Sequence, residues 1–235
     1  LDSYHTFSFG SYHDPRYMNF GSLRVINDDI VAPGAGFDMH PHDNMEIVSI
    51  VLRGKLQHRD NLGNGDVLKP GDVQKMTAGS GIIHSEFNPS DKEPVHFLQI
   101  WIIPNMLDLR PSYEQKAFNR KSMTNRLTLL VSPDGHNGSL EIHQDAEIWQ
   151  ILLEENKDTE FAINHSRKIW IQVAEGSVST NEHLLVAGDG LAVSDEEDII
   201  RLRGIDKLSN STIHFIRKPT ASVTRNRITA GACAH

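Results

Sequence analysis

The apolar residues of this chain fall in short runs with β-branched or alternating character, separated by clusters of glycine, asparagine, aspartate and proline. Glu46-Ile47-Val48-Ser49-Ile50-Val51-Leu52-Arg53 is one such run, closed by Gly54. Residues 20–33, 45–53, 55–60, 72–76, 95–103 and 126–131 all have strand character. Asn61-Leu62-Gly63-Asn64-Gly65-Asp66 and Lys69-Pro70-Gly71 are turn signals between them. Residues 104–120 are polar and contain Arg110-Pro111-Ser112-Tyr113-Glu114-Gln115, which predicts a bridge with a helical turn. A second strand-rich block follows, from about 126 to 218. Beyond it, residues 220–235 lack apolar patterning and predict a disordered or loosely docked tail. The pattern is that of an all-β protein.

Two dipeptide-spaced pairs stand out against it: His40-Pro41-His42 and His84-Ser85-Glu86. Side chains at i and i+2 of a strand point to one face. Two such pairs on facing strands would bring three imidazoles and one carboxylate together. That donor set suits Fe(II), Mn(II), Ni(II) or Cu(II) and leaves octahedral positions open for a ligand. A structural zinc site would close its tetrahedron, usually with thiolates. The only cysteine is Cys233, far from the motifs. An isolated His-x-His is more often surface decoration than a ligand pair; the strand and turn signals around both pairs tip the balance here.

The remaining polar and aromatic candidates read more plainly. Glu46, four residues after His42, is expected to share its strand face. His58, His96 and His143 are read as packed or half-exposed histidines, and Arg16, Tyr17 and Asn19 as loop residues. Phe37, Met39, Met76 and Phe97 are assigned to a barrel core in preference to a cavity wall, and Trp101, Trp149 and Trp170 to core anchors.

At 235 residues and 38% hydrophobic content, the chain has material for one large core or two small ones. The second block reads as a degraded copy of the first. Val173-Ala174-Glu175-Gly176 matches Val51-Leu52-Arg53-Gly54, and Ala187-Gly188-Asp189 matches Pro70-Gly71-Asp72. Ungapped counting from these glycines maps His40 to Ala162, His42 to Asn164, His84 to Arg201 and Glu86 to Arg203. Two arginines beside the second pocket would repel a cation, so that block is expected to hold no metal.

A net charge of -8 argues against a general nucleic-acid binder. No apolar run approaches the roughly 18 residues that span a bilayer, and no signal-peptide pattern is visible. One cysteine allows no intrachain disulfide, which fits a cytoplasmic address. A protein partner is left open.

These motifs resemble those of the cupin superfamily. The first runs Gly34…His40-Pro41-His42…Glu46…Gly54, with one extra residue before the last glycine; the second runs Gly71…Gly79…His84…Asn88, with Thr77 where proline is usual. Within cupins, the stretches Met76-Thr77-Ala78-Gly79-Ser80-Gly81-Ile82-Ile83-His84-Ser85-Glu86 and Leu98-Gln99-Ile100-Trp101 resemble the pirin family, and most of all bacterial pirin-like proteins with quercetin 2,3-dioxygenase activity. The resemblance extends from Leu1 to about Arg217. It implies a bicupin of two antiparallel β-barrels packed face to face: a metal-binding domain over 1–120, a degenerate metal-free domain over 121–218 and a tail over 219–235. It implies His40, His42, His84 and Glu86 as metal ligands, with Glu86 rather than Glu46 supplying the carboxylate and also serving as catalytic base. It implies one divalent transition metal, iron first, with Mn, Ni, Cu, Co or Zn as substitutes, and a flavonol and O2 as substrates. The alternative it carries is an iron-binding, redox- or metal-sensing co-regulator, as eukaryotic pirins are described.

Overall fold

The structure, a computed structural model, describes residues 1–162, 167–180, 183–194, 199–206, 211–219, 227–229 and 231–233. The chain divides into two compact units. One is Leu1–Phe118 with Leu140–Gln144 and Gly231–His235; the other is Asn119–Ser139 with Asp145–Ala230. Among the described residues the only helical pieces are 3-10 turns at Arg120–Met123 and His136–Gly138. No helix among them is long and apolar enough to cross a membrane.

The first unit begins with β1 (Asp2–His5), β2 (Leu23–Val31), β3 (Gly36–His42), β4 (Glu46–Arg53) and β5 (Leu56–Asp60). It continues through β6 (Gly65–Leu68), β7 (Asp72–Thr77), β8 (Ile82–Phe87), β9 (Val95–Ile102) and β10 (Ser112–Ala117). One sheet has the order β10-β7-β4-β9-β2-β1 and the other β3-β8-β5-β6. Every pairing is antiparallel.

Period-two alternation sorts the interior of this unit. On β4, Ile47 packs with Met76, Ala78 and Ile82, and Val51 packs with Val31, Leu56, Leu68, Val95 and Phe97. Ser49 lies between them on the same face and, with Gln74 and Gln99, faces the carboxylate of Glu86. The barrel therefore holds a polar band between two apolar clusters.

The pairing of β3 with β8 depends on two backbone devices. Gly36 lies so close to β8 that a Cβ there would sit 2.3 Å from the carbonyl oxygen of Glu86. Just after it, Phe37 opposes Glu86 but His40 opposes His84, so β3 gains one residue between them. This bulge switches which residues of β3 face inward. Phe37 points in before it, His40 and His42 after it.

The second unit contains β11 (Thr128–Ser132), β13 (Glu147–Leu153), β14 (Asp158–Ala162), β15 (Arg167–Glu175), β16 (Ser177–Ser179), β17 (Leu184–Val186), β18 (Asp189–Ser194), β19 (Ile199–Gly204) and β20 (Ser211–Pro219); the short β12 (Leu140–Glu141) belongs to the first unit. Its strands run β11-β13-β20-β15-β18 in one sheet and β14-β19-β16-β17 in the other. The two-unit, all-β architecture expected of a bicupin is what the chain adopts. Its main core cluster is apolar: Ile151, Leu153, Ile169, Ile171, Val173, Ile200, Leu202 and Ile213 pack with Phe161 and Leu185.

Several expectations need correction. Arg201 and Arg203 do not point into the second barrel. They are exposed and pair with Glu160 and Asp158 across β14, while Ile200 and Leu202 point inward. A one-residue slip in the ungapped count put the outward face of β19 where the inward face belongs. Residues 112–117, read as part of a bridge with a helical turn, form β10, because Tyr113 and Gln115 complete the edge beside β7. The turn signal at 61–66 ends earlier than expected, at β6. In the segment expected to be a loose tail, β21 (Arg227–Thr229) pairs with β18 and β22 (Gly231–Cys233) pairs with β1. Residues 220–226 lie outside the described residues.

Because Gly36 sits against backbone that cannot yield, Gly36→Ala should force β3 away from β8 and destabilise the chain by about 2 kcal/mol or more. Urea denaturation of the variant measures this directly. An unchanged midpoint would contradict the close approach.

Candidate metal centre

The bulged β3 and the straight β8 bring His40, His42 and His84 together. Their ring centroids lie 4.7 Å (His40–His42), 4.5 Å (His40–His84) and 4.8 Å (His42–His84) apart. One nitrogen from each ring falls within 4.8 Å of the others. The predicted convergence of the two histidine motifs is present. His84 is fully buried, and its Nε2 and that of His42 have no hydrogen-bond partner.

The hydrogen bond to His40 settles its tautomer. Nδ1 of His40 lies 2.7 Å from the carbonyl oxygen of Asp38. A carbonyl only accepts, so the proton sits on Nδ1 and the Nε2 lone pair is free. Behind His84 lies His58. Nε2 of His58 donates to Oδ2 of Asp60 at 3.1 Å. Nδ1 of His84 lies 3.4 Å from Nδ1 of His58. Nε2 of His84 has no hydrogen-bond partner and faces the other two rings. Burial raises the Asp60 carboxyl, but hydrogen bonds from Asn64, His58 and the backbone of Asn64 and Leu62 outweigh it and hold its pKa below the usual range. His58 also stacks on Tyr113 at 4.5 Å. It is packed, as expected, and its ring also lies against His84. The signal for it in the sequence was the same i, i+2 spacing, His58 to Asp60, on β5.

Burial, reinforced by the neighbouring imidazoles, depresses the imidazole pKa of His42 to about 4 and that of His84 to about 2. Both rings are neutral at pH 7, the form in which imidazole binds metal.

Glu86 opposes Phe37 on β3 and is buried, with 1% exposure. Its carboxylate groups within 4.8 Å with donor atoms of His84 and His58, rather than with His40 and His42. Three side chains donate to it: Ser49 Oγ at 3.2 Å and Gln74 Nε2 at 3.3 Å to Oε1, and Gln99 Nε2 at 2.5 Å to Oε2. Trp101 Nε1 donates to Oε1 of Gln99 at 2.8 Å, which turns the Gln99 amide nitrogen towards Glu86. Burial nonetheless pushes the Glu86 carboxyl above the ordinary carboxylate range, against the nearby His58 ring and the hydrogen bond from Ser49.

A cavity of about 260 Å³ opens onto His40, His42 and Glu86. Phe9, Phe37 and Trp101 form aromatic walls; Ser3, Asn27, Asp29 and Gln99 supply polar groups. Phe9 meets Trp101 edge to face at 4.9 Å, and Trp101 meets His42 at 4.8 Å. Phe37 and Trp101, read from sequence as core, therefore line this space. Met76 and Phe97 do lie in the core, and Met39 is exposed. Glu46 does not face the cluster. It lies on the other face of β4, accepts from Thr77 at 3.1 Å and meets the imidazole of His143 at 3.3 Å. Two bare buried nitrogens, a third free lone pair and an adjacent carboxylate fit a divalent transition-metal ion.

Comparison with known proteins agrees with this architecture. Residues 1–102 match the Pirin family model, and residues 129–208 match the model described as the quercetinase C-terminal cupin domain. A quercetin 2,3-dioxygenase of Escherichia coli (strain K12) is 45% identical over 85% of this chain and 85% of its own length. A pirin-like protein of Caulobacter vibrioides is 40% identical over 83% of this chain and 84% of its own. A crystal structure of a bacterial pirin from Escherichia coli in complex with nickel(II) superposes with a TM-score of 0.86 at 41% identity, covering 93% of this chain and 92% of that one. The chain belongs to the pirin family, within the cupin fold.

The neutral state of the imidazoles is testable. In the metal-free chain, ring-proton NMR should show neither His42 nor His84 titrating between pH 7.5 and 5, because burial favours the uncharged ring. A midpoint near 6.5 for either would contradict the buried cluster.

Proposed function

We propose that the chain is a metal-dependent dioxygenase that cleaves a flavonol, with His40, His42, His84 and Glu86 of the first unit holding one divalent ion. The observation that carries this reading is the convergence of three imidazoles, two of them with bare buried Nε2 atoms, on an aromatic-walled cavity that also receives a buried carboxylate. The relative named quercetin 2,3-dioxygenase supports the substrate class. Iron(II) is the ion we favour; the nickel(II) in a related pirin fits the same donor chemistry.

When bound, the ion would act as a Lewis acid that lowers the pKa of a flavonol hydroxyl and stabilises its oxyanion. The chain's own residues do the rest. Phe9, Phe37 and Trp101 stack on flat rings and exclude water. Glu86, raised in pKa and set beside the imidazoles, accepts the hydroxyl proton. Ser49, Gln74 and Gln99 hold its carboxylate in place for that transfer. Asp60 and His58 keep the His84 lone pair aimed at the cluster. The second unit, with Ile171, Leu191, Ile200 and Leu202 where the first has Ser49, Gln74, His84 and Glu86, serves as scaffold.

Anaerobic reconstitution with Fe(II), Mn(II), Ni(II) or Cu(II), followed by O2 uptake with quercetin, tests the reading. We expect uptake that requires metal and is lost in Glu86→Gln while part of the metal is retained; full turnover in that variant would remove Glu86 as base. Stoichiometric binding without uptake for any metal would favour a sensor. His42→Ala should lose tight metal binding with the fold intact, and one equivalent still held would refute the ligand set. His58→Ala should weaken metal affinity about 10–100-fold, the range for groups that orient a metal-bound histidine; equilibrium dialysis reads both variants.

A further inference from the structure

The cavity wall contains a second carboxyl that the proposed chemistry does not use. Asp29 on β2 is 3% exposed and lines the same space as His40, His42 and Glu86. Among the described residues the one hydrogen bond to its carboxyl comes from Ser3 Oγ on the adjoining strand, and no lysine or arginine neutralises it. An acid without a cation in an apolar wall is unfavourable unless something else satisfies it. Burial first, then the charges of Glu86 and Asp28, push its pKa up to about 7 against the hydrogen bond from Ser3 and the nearby His96 ring. As an acid it donates to an oxygen, and as a carboxylate it accepts from a hydroxyl.

Strand register gives its place. Asn27 opposes Gln99, the residue bonded to Glu86, and Asp29 lies one step further along β2, opposite Phe97 on β9 and Ser3 on β1. Gln99 and Asp29 are thus diagonal neighbours on one sheet face, about 7–8 Å apart. A fused two-ring aromatic bridges that span. Two acids on one wall also disfavour a ligand bearing a carboxylate near Asp29 and favour a neutral phenol.

We propose that Asp29, supported by Ser3, is a second, hydroxyl-recognising subsite of the cavity, which takes a phenolic hydroxyl of the substrate remote from the edge that meets the imidazoles. This rests on the flavonol reading and specifies it: the preferred substrate carries further ring hydroxyls. Asp29 is a specificity-determining residue and takes no part in the proton transfer at Glu86.

The test compares two probes, quercetin and 3-hydroxyflavone, which lacks the additional hydroxyls. Binding is measured by tryptophan fluorescence quenching under anaerobic conditions with the nickel(II)-loaded chain. The wild-type protein should prefer quercetin by about tenfold or more, the factor that about 1.4 kcal/mol supplies. In Asp29→Ala that ratio should fall towards one, and in Ser3→Ala it should fall part of the way. A purely structural role would weaken both probes alike and leave the ratio intact. Melting temperature and nickel stoichiometry check that each variant is folded; if Asp29→Ala is not, the ratio in Ser3→Ala decides. Equal affinities in the wild type, or a preference that survives substitution, would overturn the subsite and leave the flavonol reading standing. Failure of the wild type to bind either flavonol would remove that reading and the subsite with it.

Discussion

The buried carboxylate of Glu86 is the constraint around which the first unit is built. A carboxylate with 1% exposure is unstable in an apolar barrel unless it is hydrogen-bonded or faces a cation. The chain supplies both forms of relief. Ser49, Gln74 and Gln99 come from three neighbouring strands of one sheet and donate to its oxygens. The facing sheet brings the three imidazoles to its other side. The polar band between the two apolar clusters exists because these groups must meet at one depth in the barrel. The glycine at 36 and the bulge after it exist because β3 must approach β8 closely and then change which face it presents.

The second unit shows what the same fold becomes without that constraint. Matched through the turn glycines and strand register, Ser49 corresponds to Ile171, Gln74 to Leu191 and Gln99 to Phe215. The inward residues of β19, Ile200 and Leu202, stand where β8 has His84 and Glu86. Ser49, Gln74, Gln99, His84 and Glu86 each have an apolar residue as counterpart. The change is concerted because a partly satisfied buried polar network is less stable than an aliphatic core.

Much of this was legible in the linear sequence, and the failures have physical causes. The i, i+2 spacing of His40/His42 and His84/Glu86 gave both pairs their common faces, and the β-branched runs marked most strands of the first unit. Glu46 was misjudged because four residues separate it from His42 across a chain reversal, which breaks the parity that spacing assumes. Arg201 and Arg203 were misjudged because period-two alternation makes a single-residue slip a change of face. Asp29 lacked any local signal of function, and the His58 to Asp60 spacing gave no hint of which ring it would serve. Each acquires its role from a neighbour distant in sequence, Ser3 across 26 residues and His84 across 26, which only strand pairing brings together. The tautomers of the histidines are likewise invisible until the carbonyl of Asp38 and the carboxylate of Asp60 are in place.

The most direct test of the central claim is anomalous diffraction from crystals of the chain loaded with a single transition metal, recorded at that metal's absorption edge. The account predicts one peak per chain, bounded by Nε2 of His40, His42 and His84 and by the carboxylate of Glu86. A peak against His58 and Asp60, a peak within the second unit, or an ion bound without Nε2 of His42 would contradict it.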